Sequence, residues 1–427
     1  MEHTYLNSSF GTAPFQSNGV TIQSIKTQDR RFILTDGAGT DAVHRNPQYA
    51  YAVCLLQTDS PWKGVGLAFT LGAGNDLVCK AIEYLSESLV GREIEELMAD
   101  FGQVYRSLAD SPSMRWLGPH KGVVHLALAA IVNACFDLWA KSRQVPLWKL
   151  LLDLPAESLV NTLDLSYLED VLTREQAIEL LEGAASSRPG RMDVFTRGYK
   201  GYDTSVGWFN FSDERLVENA HRSLDRGFTA LKLKVGSDDP KRDIRRAQLV
   251  RNTVGEQTTV MLDANQRWHL PQALSICQEL KNIMPYWIEE PTHPDDLLAH
   301  KTIAEVLNPF KIAAGEHIPN KVIFKNFLQA GAMAFCQVDV VRVGGVSEFL
   351  TISLLARQYG VPVVPHVGDM GQIHQHLVLF NHVGMGHENL FLEHIPHLRN
   401  HFVHPATITD GYYQVPQEFG SSSDLID

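Results

Sequence analysis

The sequence predicts an α/β protein in which an α+β segment precedes a closed barrel of alternating strands and helices. Three observations predict it. Strand-like stretches crowd the chain before residue 72 and helix-like stretches fill 75–151, the succession expected of an α+β unit. From about residue 155, short apolar strands alternate with amphipathic segments, which indicates a parallel sheet. Seven successive strands of that second part each carry an ionisable residue near the C-terminal end, at separations of 29, 26, 27, 23, 27 and 27 residues. An open sheet also gathers ligands at strand ends, but only a barrel brings seven consecutive strands to one mouth.

In chain order, residues 1–18 lack a basic segment and an apolar stretch, so no signal peptide is read there and the segment is expected to fray. Residues 19–27, 30–35, 49–59 and 63–72 read as four strands, with a Gly-, Asp- and Pro-rich loop over 36–49. The most apolar run, 122–140, contains His125, Asn133 and Asp137, which a membrane span would resist, so it reads as a buried core helix. Residues 184–205 are polar and are expected to be a surface excursion. Helices follow over 216–227, 241–255, 270–282, 296–307, 321–331 and 346–360. The six histidines at 382, 387, 394, 397, 401 and 404 are irregularly spaced around Pro396 and read as a surface tail rather than a metal site. The terminal SSSDLID is expected to be mobile. The boundaries that result are 19–155, 156–395 and 396–427.

Composition narrows the function. A net charge of -12 argues against a nucleic-acid surface. Five scattered cysteines without a CxxC suit a reducing compartment, and a cytoplasmic location is expected.

The strand ends carry the chemistry. Asp263, Glu289 and Glu316 close three consecutive strands with no cysteine or clustered histidine beside them. An all-oxygen set suits a hard cation, and Mg²⁺ would keep positions open for substrate oxygens. Asn265 shares a face with Asp263, whereas Glu290 is expected to point away from Glu289. In LKLKV, residues 231–235, the two-residue period puts Lys232 and Lys234 on one face. Beside a divalent cation and each other, their pKa values are expected to fall, which prepares a general base. His366 is the second acid/base candidate, with Asp339 one strand earlier to fix its tautomer.

At these residues the chain resembles the enolase superfamily, in its mandelate racemase-like branch, and within it the L-fuconate dehydratases. The resemblance is carried by RWLGPHKGVVHLA, DLWAKSRQVPLWKLLLD, LKLKVG, DANQRW, WIEEPTHPDD, GEHIPNKVIFKNFLQA and EHIPHLRNHF. It implies a modified TIM barrel, (β/α)₇β, under an α+β capping domain, with the C-terminal segment returning to the cap. It implies Mg²⁺ on Asp263, Glu289 and Glu316. Lys234 would remove the α-proton of a sugar acid, with Lys232 as its electrostatic partner. His366, paired with Asp339, would protonate the departing 3-hydroxyl, and Glu393 would hydrogen-bond the ene-diolate. Gly39, Thr40, Asp41 and Tyr49 match substrate-contacting positions. The implied activity is a hydro-lyase converting L-fuconate to 2-keto-3-deoxy-L-fuconate, in a homo-oligomer. Its rivals are a racemase or epimerase, a dehydratase of another sugar acid, and a barrel retained only for binding. HVGDMGQIHQH, GEH and Thr40 depart from the family pattern, which leaves the sugar acid open.

Overall fold

A computed structural model describes residues 19–388 and 391–427; the expected fraying of 1–18 falls outside them. β1 (Ile22–Ile33), β2 (Gln48–Thr58) and β3 (Gly64–Thr70) form an antiparallel meander. The two strands expected over 19–35 are thus one twelve-residue strand. Its polar middle, Gln28–Arg31, reads as a break, but β1 is a sheet edge. Such residues stay in water there, with Asp29 and Arg31 paired on one face at 2.7 Å.

The helix Val123–Ser142 lies across this sheet and is buried along almost its whole length. Gly66 permits the close approach: a Cβ there would stand 1.9 Å from the Ala130 carbonyl. The polar residues of this helix are joints. Asn133 Nδ2 donates to Val340 O (3.0 Å), and His125 Nε2 meets Glu348 Oε2 (2.7 Å). Asp137 accepts from Val65 N (2.8 Å) and Ser421 N (2.7 Å) and pairs with Lys141 at 2.6 Å. The terminal segment is therefore docked, not mobile: Ser421–Ser423 are buried because a buried carboxylate needs donors on every side. Phe402 packs on Tyr51, and Arg30 Nη2 donates to Ile426 O (2.6 Å), so the chain beyond the barrel returns to the first sheet.

β4 (Tyr199–Gly207), β5 (Ala230–Lys234), β6 (Thr259–Asp263), β7 (Ile288–Glu289), β8 (Ile312–Ala314) and β9 (Phe335–Cys336) run parallel in chain order. Val363 bridges to Cys336, and β10 (Phe391–His394) pairs back with β4. Seven helices intervene, from Asp213–Asp225 to His374–Val383, so the fold is a (β/α)₇β barrel with a capping sheet and helices.

β4 corrects the expected surface excursion over 184–205. Only its first part is surface, as short helical turns; the rest is the first barrel strand and largely buried. Its polar residues point where other polar groups need them. Asp203 accepts from Ser223 Oγ (2.8 Å), and Thr204 Oγ1 donates to Glu393 Oε1 (2.6 Å). A strand that lines a catalytic barrel loses its apolar signature for this reason.

Below the mouth, Tyr202, Ala230, Met261, Trp287, Ala313, Phe335 and Val364 fill the barrel as one apolar layer. Each large side chain there contributes about 1.5–3 kcal/mol by burial. The layer is a rigid floor for the polar groups above it. The histidine tail also differs from expectation. His387 and His394 are buried, the latter stacked on Phe228, while His401 and His404 are exposed. Burial comes from the helix His374–Val383 and from β10, neither of which shows clean periodicity. None of the six joins a metal-capable group among the described residues.

Candidate active site

The ladder sets the first row of side chains. Lys234 is level with Asp263, and Asp263 with Glu289, across β5, β6 and β7. Lys232 Nζ lies 2.8 Å from Glu289 Oε1, 2.7 Å from Glu393 Oε1 and 3.8 Å from Asp263 Oδ2. Lys234 Nζ pairs with the other ligand candidate, Asp263. Both lysines therefore face the barrel interior.

Glu316, two residues beyond β8, completes a group. Asp263, Glu289 and Glu316 each offer an oxygen within 4.8 Å of the others, all buried. Burial, together with Asp263 and Glu393, pushes Glu289 up to about 8, although Lys232 opposes this. Three buried carboxylates this close repel one another when ionised, and a divalent cation would offset that repulsion. The oxygen-only donor set fits Mg²⁺.

The second flank comes from loops. His366 Nδ1 stands 2.9 Å from Asp339 Oδ2, and its Nε2 stands 3.1 Å from Glu316 Oε2. Burial alone would lower His366, but Glu316 and Asp339 raise it to about 9. Burial would raise Asp339, yet its imidazole neighbours hold it down at about 2.

One cavity between the cap and the barrel mouth is lined by Gly39, Asp41, Tyr49, Lys234, Asn265, Glu316, His366 and Glu393. Those eight of the expected site residues converge. Asp339, Lys232, Asp263 and Glu289 stand behind them, in contact as described. Thr40 does not line it: its hydroxyl donates to Gly37 O (2.8 Å) and accepts from Asn210 N (3.2 Å), which shapes the loop instead.

Three further expectations need correction. Lys234 is not lowered here: burial pulls it down, but Asp263, Glu316 and Asp41 outweigh burial and Lys232 and raise it. Glu290 does not point away, because its backbone takes φ 41° and breaks the alternation. Its carboxylate joins Glu316 and His317 in a second close group. Glu393 is not set up as a proton donor: burial favours its acid form, but Lys232, His366 and Lys234 hold it ionised.

Sequence reasoning missed His317, whose Nδ1 bridges Glu290 (3.2 Å) and Glu316 (3.0 Å), and Arg342, His44 and Trp208 in the cavity wall. His317 had a signal, its place beside Glu316 in GEH; Arg342 had none.

The pattern described as enolase C-terminal domain-like matches residues 215–426. The chain belongs to the enolase superfamily. It is 39% identical to the L-galactonate dehydratase of Hypocrea jecorina over 95% of this chain and 92% of that protein. The crystal structure of human mitochondrial enolase superfamily member 1 matches with a TM-score of 0.93 and 39% identity, covering 96% of this chain and 94% of that one. A complex of L-talarate/galactarate dehydratase from Salmonella typhimurium LT2 with Mg and L-lyxarohydroxamate shares the fold, with a TM-score of 0.77 and 24% identity over 99% and 96% of the two chains.

Proposed function

We propose that the protein is a magnesium-dependent sugar-acid dehydratase acting on an aldonate of the L-galacto series, L-galactonate or its 6-deoxy form L-fuconate. The carrying observation is the opposition of Lys234 and His366 across one cavity, on either side of the Asp263–Glu289–Glu316 group. The similarity to an L-galactonate dehydratase supports the substrate series.

Asp263, Glu289 and Glu316 would hold Mg²⁺, which when bound supplies a Lewis acid against the second negative charge of a deprotonated carboxylate substrate. The protein's own groups do the rest. Lys234 takes the C2 proton, and the C2 electron pair spreads into the carboxylate as an ene-diolate. For this Lys234 must be neutral, so Asp263 must be occupied elsewhere than on its ammonium. Lys232 and Glu393, 2.7 Å apart, act as one hydrogen-bonded unit beside the developing charge. His366, oriented by Asp339, protonates the C3 hydroxyl. The C3–O bond breaks, water leaves, and the enol tautomerises to a 2-keto-3-deoxy acid. The barrel floor and Tyr49 exclude bulk water from this corner.

We place the protein in the cytoplasm as a homo-oligomer; five free, buried cysteines suit a reducing compartment. The test is incubation with Mg²⁺ and a panel of sugar acids, with the keto product trapped by semicarbazide. L-Galactonate and L-fuconate should give product. Epimerised acid without keto product would overturn the reading in favour of a racemase.

A further inference from the structure

A second cavity, of about 330 Å³, lies behind the first, which offers only about 60 Å³. The two share Glu316, His317 and Arg342 as a common wall. Ligand pockets are usually about 300–1,000 Å³, so the second is the roomier host.

Three features of its lining point to one ligand chemistry. The Arg342 side chain makes no hydrogen bond or ion pair among the described residues. The other charges are spoken for: Lys121 pairs with Asp295 at 2.5 Å, and Glu316 is held between His317 and His366. Arg342 thus leaves one uncompensated positive charge and a planar donor fork. Gly122, His125 and Leu126 also line the cavity, which places it at the amino end of the twenty-residue helix Val123–Ser142. The first-turn amides there precede the first helical bond, Leu126 N to Gly122 O, and favour an anion. Finally, His125 is 2% exposed and its Nδ1 has no hydrogen-bond partner among the described residues. With Nε2 engaged by Glu348 Oε2, Nδ1 is left to hydrogen-bond a hydroxyl.

We infer that the second cavity is a binding subsite for a 2-hydroxycarboxylate. The carboxylate meets Arg342 and the helix amino end, and the neighbouring hydroxyl hydrogen-bonds His125 Nδ1. Such a group has two sources: the far end of a dicarboxylic sugar acid seated in the first cavity, which rests on the dehydratase reading, or a separate hydroxy acid, which does not.

Titration calorimetry on the intact protein in magnesium-free buffer, with tartronate as probe, tests this independently of turnover. Saturable binding is expected, at least ten-fold weaker in Arg342→Met and partly restored in Arg342→Lys. Malonate, which lacks the hydroxyl, should bind about five-fold more weakly. Lys234→Ala, altered in the first cavity only, should stay within two-fold of the wild type. Displacement by galactarate but not by L-galactonate assigns the site to the substrate's far end, whereas displacement by both, each of which carries a 2-hydroxycarboxylate, or by neither assigns it to a separate ligand. Equal affinity in Arg342→Met, or loss of binding in Lys234→Ala, would overturn the inference.

Discussion

On one flank of the site the working side chains stand on hydrogen-bonded strand; on the other they stand on loops. Lys232, Lys234, Asp263 and Glu289 lie in a continuous register across β5, β6 and β7. Asp339 follows a two-residue strand, and the segment carrying His366 is reduced to a single bridge at Val363. The lysine flank holds cations with several carboxylates at once. The histidine flank holds one imidazole between two, Asp339 and Glu316. The first arrangement is rigid and heavily charged, as metal binding and carbanion formation require. The second fixes one tautomer and one direction of proton delivery. On the proposed reading the two flanks divide the reaction, and this division can be broken experimentally.

The largest effect is expected from Lys234→Ala. Loss of the general base should cost about 10²–10⁴ in rate and also end exchange of the substrate C2 hydrogen in D₂O, with Mg²⁺ still bound. Exchange that continues would place the base elsewhere. His366→Asn should slow dehydration by a comparable factor, at the lower end, yet leave C2 exchange running. If exchange and dehydration fall together, the flanks do not act separately.

Asp263→Asn comes next. It removes one negative charge from the proposed ligand set and should weaken Mg²⁺ binding by at least about ten-fold, read by calorimetry. Unchanged affinity would remove Asp263 from the metal site. The same variant frees Lys234 from its main partner, so the lysine should titrate lower than in the wild type.

Asp339→Asn sharpens the histidine side. As the proposed acid, His366 must carry a proton. Its pKa, raised to about 9 against the pull of burial, owes part of the rise to Asp339. A neutral amide removes that part. The alkaline limb of the dehydration rate should therefore move to lower pH, while the limb for C2 exchange stays. A limb that does not move would show that Glu316 alone sets the imidazole.

The same contrast explains what the sequence could disclose. Period-two alternation placed Lys232 and Lys234 on one face because β5 is regular strand. It failed one residue past β7, where Glu290 adopts φ 41° and turns toward Glu316. Asp339 and His366 were legible as a pair because the spacing of one βα unit survives even when the strand shrinks. β4 was not legible, because a strand with Thr204 facing inward and Asp203 facing the helix Asp213–Asp225 looks like a loop. Arg342 was invisible for a related reason: nothing local marks a side chain whose importance comes from having no partner.

The smallest effect is expected at His374, the second imidazole beside Asp339. Its Nε2 lies 3.3 Å from Asp339 Oδ1, which suggests a charge pair. The hydrogen bonds argue otherwise. Val340 N donates to His374 Nε2 (3.1 Å), so that nitrogen carries a lone pair, and Nδ1–H donates to Gly371 O (2.9 Å). In this arrangement the ring pins the 339–341 backbone to the loop after His366. Asp339 Oδ1 takes its own bond from Val341 N at 2.9 Å. His374→Gln should then cost about one hydrogen bond of positioning, roughly 1 kcal/mol or five-fold in kcat, and leave the alkaline limb where it is. A limb that shifts as it does in Asp339→Asn would mean that His374 acts by charge, and that both imidazoles share the Asp339 carboxylate.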